Sequence, residues 1–227
     1  MKELKHLKTL DLYNTKVTDT GLKVLKEFKK LRMLYLGSCA VTDVGLKELK
    51  GLKGLQDLWL GYTDVTDEGL KELKGLKSLQ WLALDSTKVT DVGLKKLKGL
   101  KSLQSLSLDS TRVTGAGLKE LKGLQHLGLL KLTRSTVTDT TLRTLREIGL
   151  LHALANATVP PKARVKRYSS PADVTLLNLA STSITDAGLK ELKELTSLQS
   201  LDLSKTKVTD AGVKELKVAR PELRIER

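Results

Sequence analysis

One six-residue motif, Val-Thr-Asp-x-Gly-Leu, returns along this chain with its first residue at Val17, Val41, Val65, Val89, Val113 and Val137, then at Ile184 and Val208, with small departures in the later copies. The regular spacing is 24 residues. A unit of that size cannot bury its own apolar side chains, so neighbouring units must stack and share one continuous core. Within each unit the run Leu-x-x-Leu-x-Leu, as in Leu7, Leu10 and Leu12 or Leu79, Leu82 and Leu84, ends in the alternation of a short strand. The second half carries Leu46 and Leu49, or Leu70 and Leu73, three apart behind a Thr-Asp pair suited to a helix start, which predicts one short helix. Identical orientation from unit to unit makes the predicted sheet parallel, with strands on the inside of a curve and helices outside. The Leu-dominated composition, with a single Phe, suits a core of identical side chains in layers.

The second unit shows the pattern most fully: Leu31, Leu34, Leu36 and Cys39, then Val41, Thr42, Asp43, Gly45 and Leu46. These residues resemble the leucine-rich-repeat family, in its cysteine-containing, ribonuclease-inhibitor-like subtype. Most other units place Thr at the cysteine site, namely Thr15, Thr63, Thr87, Thr111, Thr182 and Thr206, with Ser135 in the sixth. Uniform repeats of this Thr-bearing kind are similar to those of bacterial, especially planctomycete, proteins. The resemblance implies an α/β leucine-rich-repeat solenoid, or horseshoe, with a parallel concave sheet and short convex helices, acting as a binding scaffold. No F-box-like segment is present, so a ubiquitin-ligase adaptor role is not implied.

The expected organisation is a single domain over residues 1–227 with a degenerate repeat at about 146–173. There the motif decays, three of the four prolines occur (Pro160, Pro161, Pro171), and Val137 to Ile184 is one residue short of two periods. The reading there is a rung that keeps its ladder position but loses its helix to extended or loop structure. Repeat material begins at once in Met1-Lys2-Glu3-Leu4, so an N-terminal cap is expected to be absent, and the final Arg-Pro-Glu-Leu-Arg-Ile-Glu-Arg resembles a closing strand.

The period serves as a ruler for side-chain direction. Eight residues before each motif Val stand Thr9, Met33, Asp57, Trp81, Ser105 and Leu129, and six before stand Asp11, Tyr35, Trp59, Ala83, Ser107 and Lys131. Both columns face outward on the concave sheet. Tyr13, Asp85 and Asp109 lie four before, and Tyr62 at the strand exit. Parallel neighbours lie about 4.8 Å apart, so Tyr35 and Trp59 should be adjacent, with Trp81 diagonal to Trp59. Aromatics flanked by acids have the composition of an interaction hot spot. The candidate ligand patch is therefore Tyr13, Met33, Tyr35, Asp57, Trp59, Tyr62, Trp81 and Asp85, for a protein or peptide carrying basic residues. The alternative is that these aromatics only pack on one another to cover the sheet.

The net charge of +14 sits elsewhere, because Lys23, Lys47, Lys71, Lys95, Lys119, Lys190 and Lys214 fall on the convex helices. Nucleic-acid binding wants cations beside aromatics, and here the two are on opposite faces, so a nucleic-acid partner is disfavoured. The alternative function is electrostatic binding of nucleic acid or anionic surfaces through these lysines, or through Lys162, Arg164, Lys166 and Arg167 in the 162–168 run. That run reads equally as a solvated loop.

No catalytic group or cofactor is expected. His6 and His126 occupy equivalent sites five repeats apart, roughly 24 Å at one strand spacing per repeat, and cannot share a metal. His152 stands where a core Leu is expected, and Cys39 at an inward position reads as a structural thiol. No Walker-type, GxSxG or HExxH sequence occurs. The lone cysteine favours a cytoplasmic setting over a disulfide-stapled one, and no stretch approaches the ~18 apolar residues of a membrane span. The oligomeric state is not fixed by any of these features.

Overall fold

The computed structural model describes residues 6–156 and 169–227. They fall into two compact units, Met1–Val113 and Thr114–Arg227. In unit 1 the strands β1 (Thr9–Asp11), β2 (Met33–Tyr35), β3 (Asp57–Trp59), β4 (Trp81–Ala83) and β5 (Ser105–Leu108) pair in order, all parallel. Their register reproduces the predicted columns: Thr9, Met33, Asp57, Trp81 and Ser105 are successive partners, as are Asp11, Tyr35, Trp59, Ala83 and Ser107. The strand leucines between them, Leu34, Leu58, Leu82 and Leu106, point inward and are fully buried. Each buried Leu contributes about 1.5–3 kcal/mol.

The helical half of a rung is the expected short helix, and in most rungs of unit 1 it mixes two kinds of turn. In α1 (Asp19–Leu22), α2 (Asp43–Leu46) and α3 (Asp67–Leu70) a single α turn runs directly into a 3₁₀ turn at Lys23–Glu27, Lys47–Gly51 and Lys71–Gly75, and only α4 (Asp91–Leu97) stays α-helical for seven residues. A 3₁₀ turn rises about 2.0 Å per residue against 1.5 Å for an α-helix, so few residues suffice to reach the next strand.

Between strand and helix each rung of unit 1 turns through one residue of positive φ: Asn14, Ser38, Tyr62, Ser86 and Ser110. The following Thr secures the turn, its hydroxyl donating to the carbonyl three residues back, as from Thr63 to Leu60 at 2.6 Å and Thr87 to Leu84 at 2.7 Å. Cys39 does this with a thiol and across rungs, donating to the Leu12 carbonyl at 2.9 Å. It is the structural, buried thiol its position predicts.

The Thr-Asp pair does more than start a helix. The Thr hydroxyl caps, as Thr42 does by accepting from Val44 N at 3.2 Å. The Asp carboxylate instead reaches the Thr of the next rung, accepting from its N–H and its hydroxyl. Asp19 holds Thr42 at 2.8 and 2.7 Å, Asp43 holds Thr66 at 2.8 and 2.6 Å, and Asp67 holds Thr90 at 2.8 and 2.6 Å. This bond explains the motif glycine. A Cβ on Gly45, Gly69 or Gly93 would lie 2.4, 2.3 or 2.4 Å from the carboxylate oxygen of the preceding Asp. The motif is thus a lock whose parts come from successive rungs.

Unit 2 holds β6 (Leu129–Leu132), and a separate parallel sheet of β7 (Leu176–Asn178), β8 (Ser200–Asp202) and β9 (Arg224–Glu226). Its helices are α5 (Asp139–Glu147), α6 (Asp186–Leu189) and α7 (Asp210–Ala219). The same lock joins Asp139 to Thr185, at 2.8 and 2.6 Å, although these residues are 46 apart where the link in unit 1 spans 23. Ser183 N also donates to Val137 O at 3.2 Å, and Arg146 Nε to Glu191 Oε2 at 2.6 Å. The rungs of Val137 and Ile184 are therefore direct neighbours on the helix side. On the strand side β6 is outside the β7 sheet, and a 3₁₀ turn at Leu151–Asn156 packs against both β6 and β7. The described parts of this segment include 3₁₀ turns at Leu151–Asn156 and Pro171–Asp173, where extended or loop structure was expected. His152 fills the predicted core position and is buried, and burial lowers its pKa, opposed by the Leu127 backbone and Asp173.

Candidate functional site

Four aromatic rings meet on the outward face of β1 to β4. Trp59 contacts Tyr13, Tyr35 and Trp81 at ring-centroid distances of 5.5, 6.2 and 5.9 Å, and Tyr35 meets Trp81 at 6.3 Å. The pairs are tilted or edge-on, the arrangements aromatic quadrupoles favour. Trp59 is the hub, and its sequence neighbours show why it can be. A Cβ on Gly61 would lie 2.7 Å from its indole Nε1, and one on Gly37 would lie 3.2 Å from the same atom and 3.1 Å from the Tyr13 ring. Two glycines where the first rung has Tyr13 therefore clear a floor on which the indole bridges from the third rung to the first. Sequence reasoning placed the aromatics and missed this floor. Its signal was available, as glycine in the column that elsewhere holds Tyr13, Asp85 and Asp109.

Tyr35, Trp59, Trp81, Met33 and Asp57 are half-buried, while Tyr13 is 47% exposed. The Tyr35 hydroxyl donates weakly to Met33 Sδ at 3.7 Å. Its pKa is raised, first by burial and then by the negative fields of Asp57 and Asp11. Asp11 thus joins the site electrostatically, and its Oδ1 also accepts from Tyr13 N at 3.0 Å. Asp85 has a different role from the one its column suggests: it is 7% exposed, and its Oδ1 accepts from Ser107 Oγ at 2.6 Å. Ala83, Ser105 and Ser107 are likewise buried. Tyr62 stands apart from the four rings, 59% exposed and at φ 60°. A bulky side chain in the left-handed region is a conformational outlier, where the equivalent turn residues in unit 1 are Asn and Ser.

On the helix side Lys23, Lys47, Lys71 and Lys95 are exposed as expected. Part of that charge is paired, Lys50 with the nearly buried Glu72 at 2.7 Å and Lys71 with Glu68 at 2.9 Å. Lys162, Arg164, Lys166 and Arg167 lie outside the described residues. Among the described residues no cluster of His, Cys, Asp and Glu is arranged to hold a metal, and no helix is long and apolar enough to cross a membrane.

A family model described as a leucine-rich repeat matches residues 3–26, 29–50, 172–193 and 194–217, in both units. The chain has the leucine-rich-repeat fold. Among solved structures, internalin C2 from Listeria monocytogenes is similar at 26% identity and a TM-score of 0.61, covering 92% of this chain and 76% of that one. A leucine-rich-repeat protein from Leptospira interrogans shares the fold at 21% identity and a TM-score of 0.58, and the alignment covers 99% of this chain and 55% of that one. No curated protein matches at a significant level. Leucine-rich repeats generally serve protein–protein interaction, and scaffolds built from them are generally non-enzymatic.

Proposed function

We propose that unit 1 is a protein- or peptide-binding module whose contact surface is the outward strand face, with Trp59, Trp81 and Tyr35 as anchors and Tyr13 and Tyr62 at the margin. The observation that carries this reading is the four-ring cluster itself, held half-open on a rigid parallel ladder. Gly37 and Gly61 leave room beneath Trp59 for its indole to lie against the turns of the second and third rungs, which fixes the ring in place. Such anchors, partly exposed before binding and rigid, lose little conformational entropy on association and dominate interface energetics.

The chemistry of the patch favours a basic segment. Asp57 and Asp11 make the site negative around Tyr35, and a Lys or Arg of the partner lying over an indole face within about 6 Å gains cation–π attraction. Centroid separations of 5.5–6.3 Å mean that the rings touch one another, so a cation sits over their outer faces and not between them. Lys23, Lys47, Lys71 and Lys95 stand on the helical turns of unit 1 and not on the strands that carry the rings, whereas a nucleic-acid backbone calls for cations beside the aromatics.

The test is affinity capture of the partner followed by calorimetry with the Trp59→Ala/Trp81→Ala double variant. Loss of at least a hundredfold in affinity by a variant with unchanged circular dichroism supports the patch. Retained affinity, together with binding that weakens steeply with salt, would transfer the function to the lysine-bearing side.

A further inference from the structure

The edge along which each rung of unit 1 turns from helix to the next strand carries charge of one sign. The seven-residue turns at 26–32, 50–56, 74–80 and 98–104 hold ten Lys or Arg and one acid, Glu27. The helix columns differ, because acids interleave there: Glu48 follows Lys47, and Glu68 pairs with Lys71 at 2.9 Å. The excess also belongs to unit 1. Each of its four turns carries two lysines three apart, as Lys50 with Lys53 or Lys74 with Lys77, whereas unit 2 has Gln125, Gly149 and Thr196 at the second place. The last of these places is Arg220, whose guanidinium donates to the Leu195 carbonyl at 2.6 Å.

Rung packing gathers the lysines into pairs. A Cβ on Gly51, Gly75 or Gly99 would lie 3.2, 2.5 or 2.7 Å from the Nζ of Lys29, Lys53 or Lys77 in the preceding rung. Each of these glycines directly follows Lys50, Lys74 or Lys98, so an ammonium from one rung lies against the backbone just after a lysine of the next. Lys77 Nζ donates to Gly99 O at 3.0 Å. Lys50 also pairs with Glu72 at 2.7 Å, and all six lysines are exposed. The strands pair with no slip in register from rung to rung, which sets the three pairs in a row along one edge. Like charges gathered in this way repel and cost stability. Solubility alone is served as well by the mixed charge of the helix columns.

We propose that this edge docks unit 1 on a membrane surface rich in anionic lipid. Lysine ammoniums are compact, strongly hydrated point charges suited to phosphate and carboxylate headgroups, and each basic residue held near an anionic bilayer adds to the attraction. A row on an edge meets a flat surface with all its charges at once. The four clustered rings lie on the strand face and not on this edge, so they offer no stacking platform here for the bases of a single-stranded nucleic acid. Docked by the edge, unit 1 keeps its strand face open to a partner of its own.

The test is co-sedimentation of the full chain with vesicles of equal parts phosphatidylserine and phosphatidylcholine, set against vesicles of phosphatidylcholine alone. Binding to the anionic vesicles only, falling steeply as salt is added, is expected. Lys29→Glu/Lys53→Glu/Lys77→Glu should weaken it at least tenfold with unchanged circular dichroism, and the milder Lys29→Gln/Lys53→Gln/Lys77→Gln should weaken it in the same direction. Lys23→Glu/Lys47→Glu/Lys95→Glu makes the same change in net charge on the helix columns and should weaken it less than threefold. Equal losses from the two glutamate sets would mean that net charge alone is read, and would overturn the proposal. Absent binding to the anionic vesicles, equal binding to both kinds, or duplex DNA bound through the edge lysines while vesicles are not, would overturn it as well.

Discussion

Successive rungs within unit 1, and the Val137 and Ile184 rungs within unit 2, are held by the same Asp–Thr lock, yet strand pairing accompanies it in the first case and not in the second. Between Asp43 and Thr66 the lock and the ladder act together, through β2 and β3. Between Asp139 and Thr185 the lock closes over 46 residues while the 151–156 turn lies against β6 and β7. The difference shows that helix-side bonds, the carboxylate lock with the Ser183–Val137 and Arg146–Glu191 contacts, join two rungs without strand pairing. Chain between two rungs can lengthen without disturbing the lock, because it needs only one Asp, one Thr and one Gly in place.

This comparison can be broken most directly at its weaker junction. Asp139→Ala leaves the Thr185 N–H and hydroxyl unpartnered where no strand pairing compensates, and charge-assisted bonds of this kind contribute about 1.5–3 kcal/mol each. Urea denaturation should show a loss of about 3–4 kcal/mol, or a separate early transition for the region after β6. Asp43→Ala should cost less, about 2 kcal/mol, because the β2–β3 ladder persists. Equal losses at both sites would contradict the idea that the lock matters more where strand pairing does not accompany it.

Gly69→Ala comes next, at about 2 kcal/mol, since its Cβ would stand 2.3 Å from the Asp43 carboxylate and must displace it. Combined with Asp43→Ala the alanine should cost much less, a coupling that a double-mutant cycle reads.

His152 sharpens the comparison through pH. Burial lowers its folded pKa, so the neutral ring is the folded form and the unfolded chain binds the proton more readily. Stability should therefore begin to fall as pH drops through the unfolded value of about 6.5, and continue to fall down to the lowered folded value. His152→Leu should remove that slope, and a pH-independent wild type would contradict it. The smallest effect belongs to Thr63→Val, which removes one buried hydroxyl bond to Leu60 O and should cost about 1 kcal/mol in thermal or urea unfolding.

Much of this was legible in the period. A 24-residue spacing in a parallel ladder fixes which residues are partners, so Tyr35 beside Trp59 and Trp81 diagonal to it could be read before any coordinates. Spacing constrains the backbone and leaves rotamers and long-range partners open. Asp43 was read with its own helix start, because the partner that decides its role lies 23 residues on. Asp85 was placed on the open face, but its carboxylate turns to Ser107. The 47 residues from Val137 to Ile184 nearly equal two periods, but a length does not say which rungs touch, and on the helix side these two do.

The central claim is that the aromatic face of unit 1 binds a basic segment. Both tryptophans of the chain, Trp59 and Trp81, lie in that cluster, so intrinsic tryptophan fluorescence reports this face alone. The decisive measurement is a titration of the full chain with an arginine-containing peptide, an equally long glutamate peptide, and the Asp57→Asn variant as control. A saturable change with the arginine peptide, weakened severalfold by Asp57→Asn and absent with glutamate, is predicted. No change with arginine, or the same change with either peptide, would contradict the account.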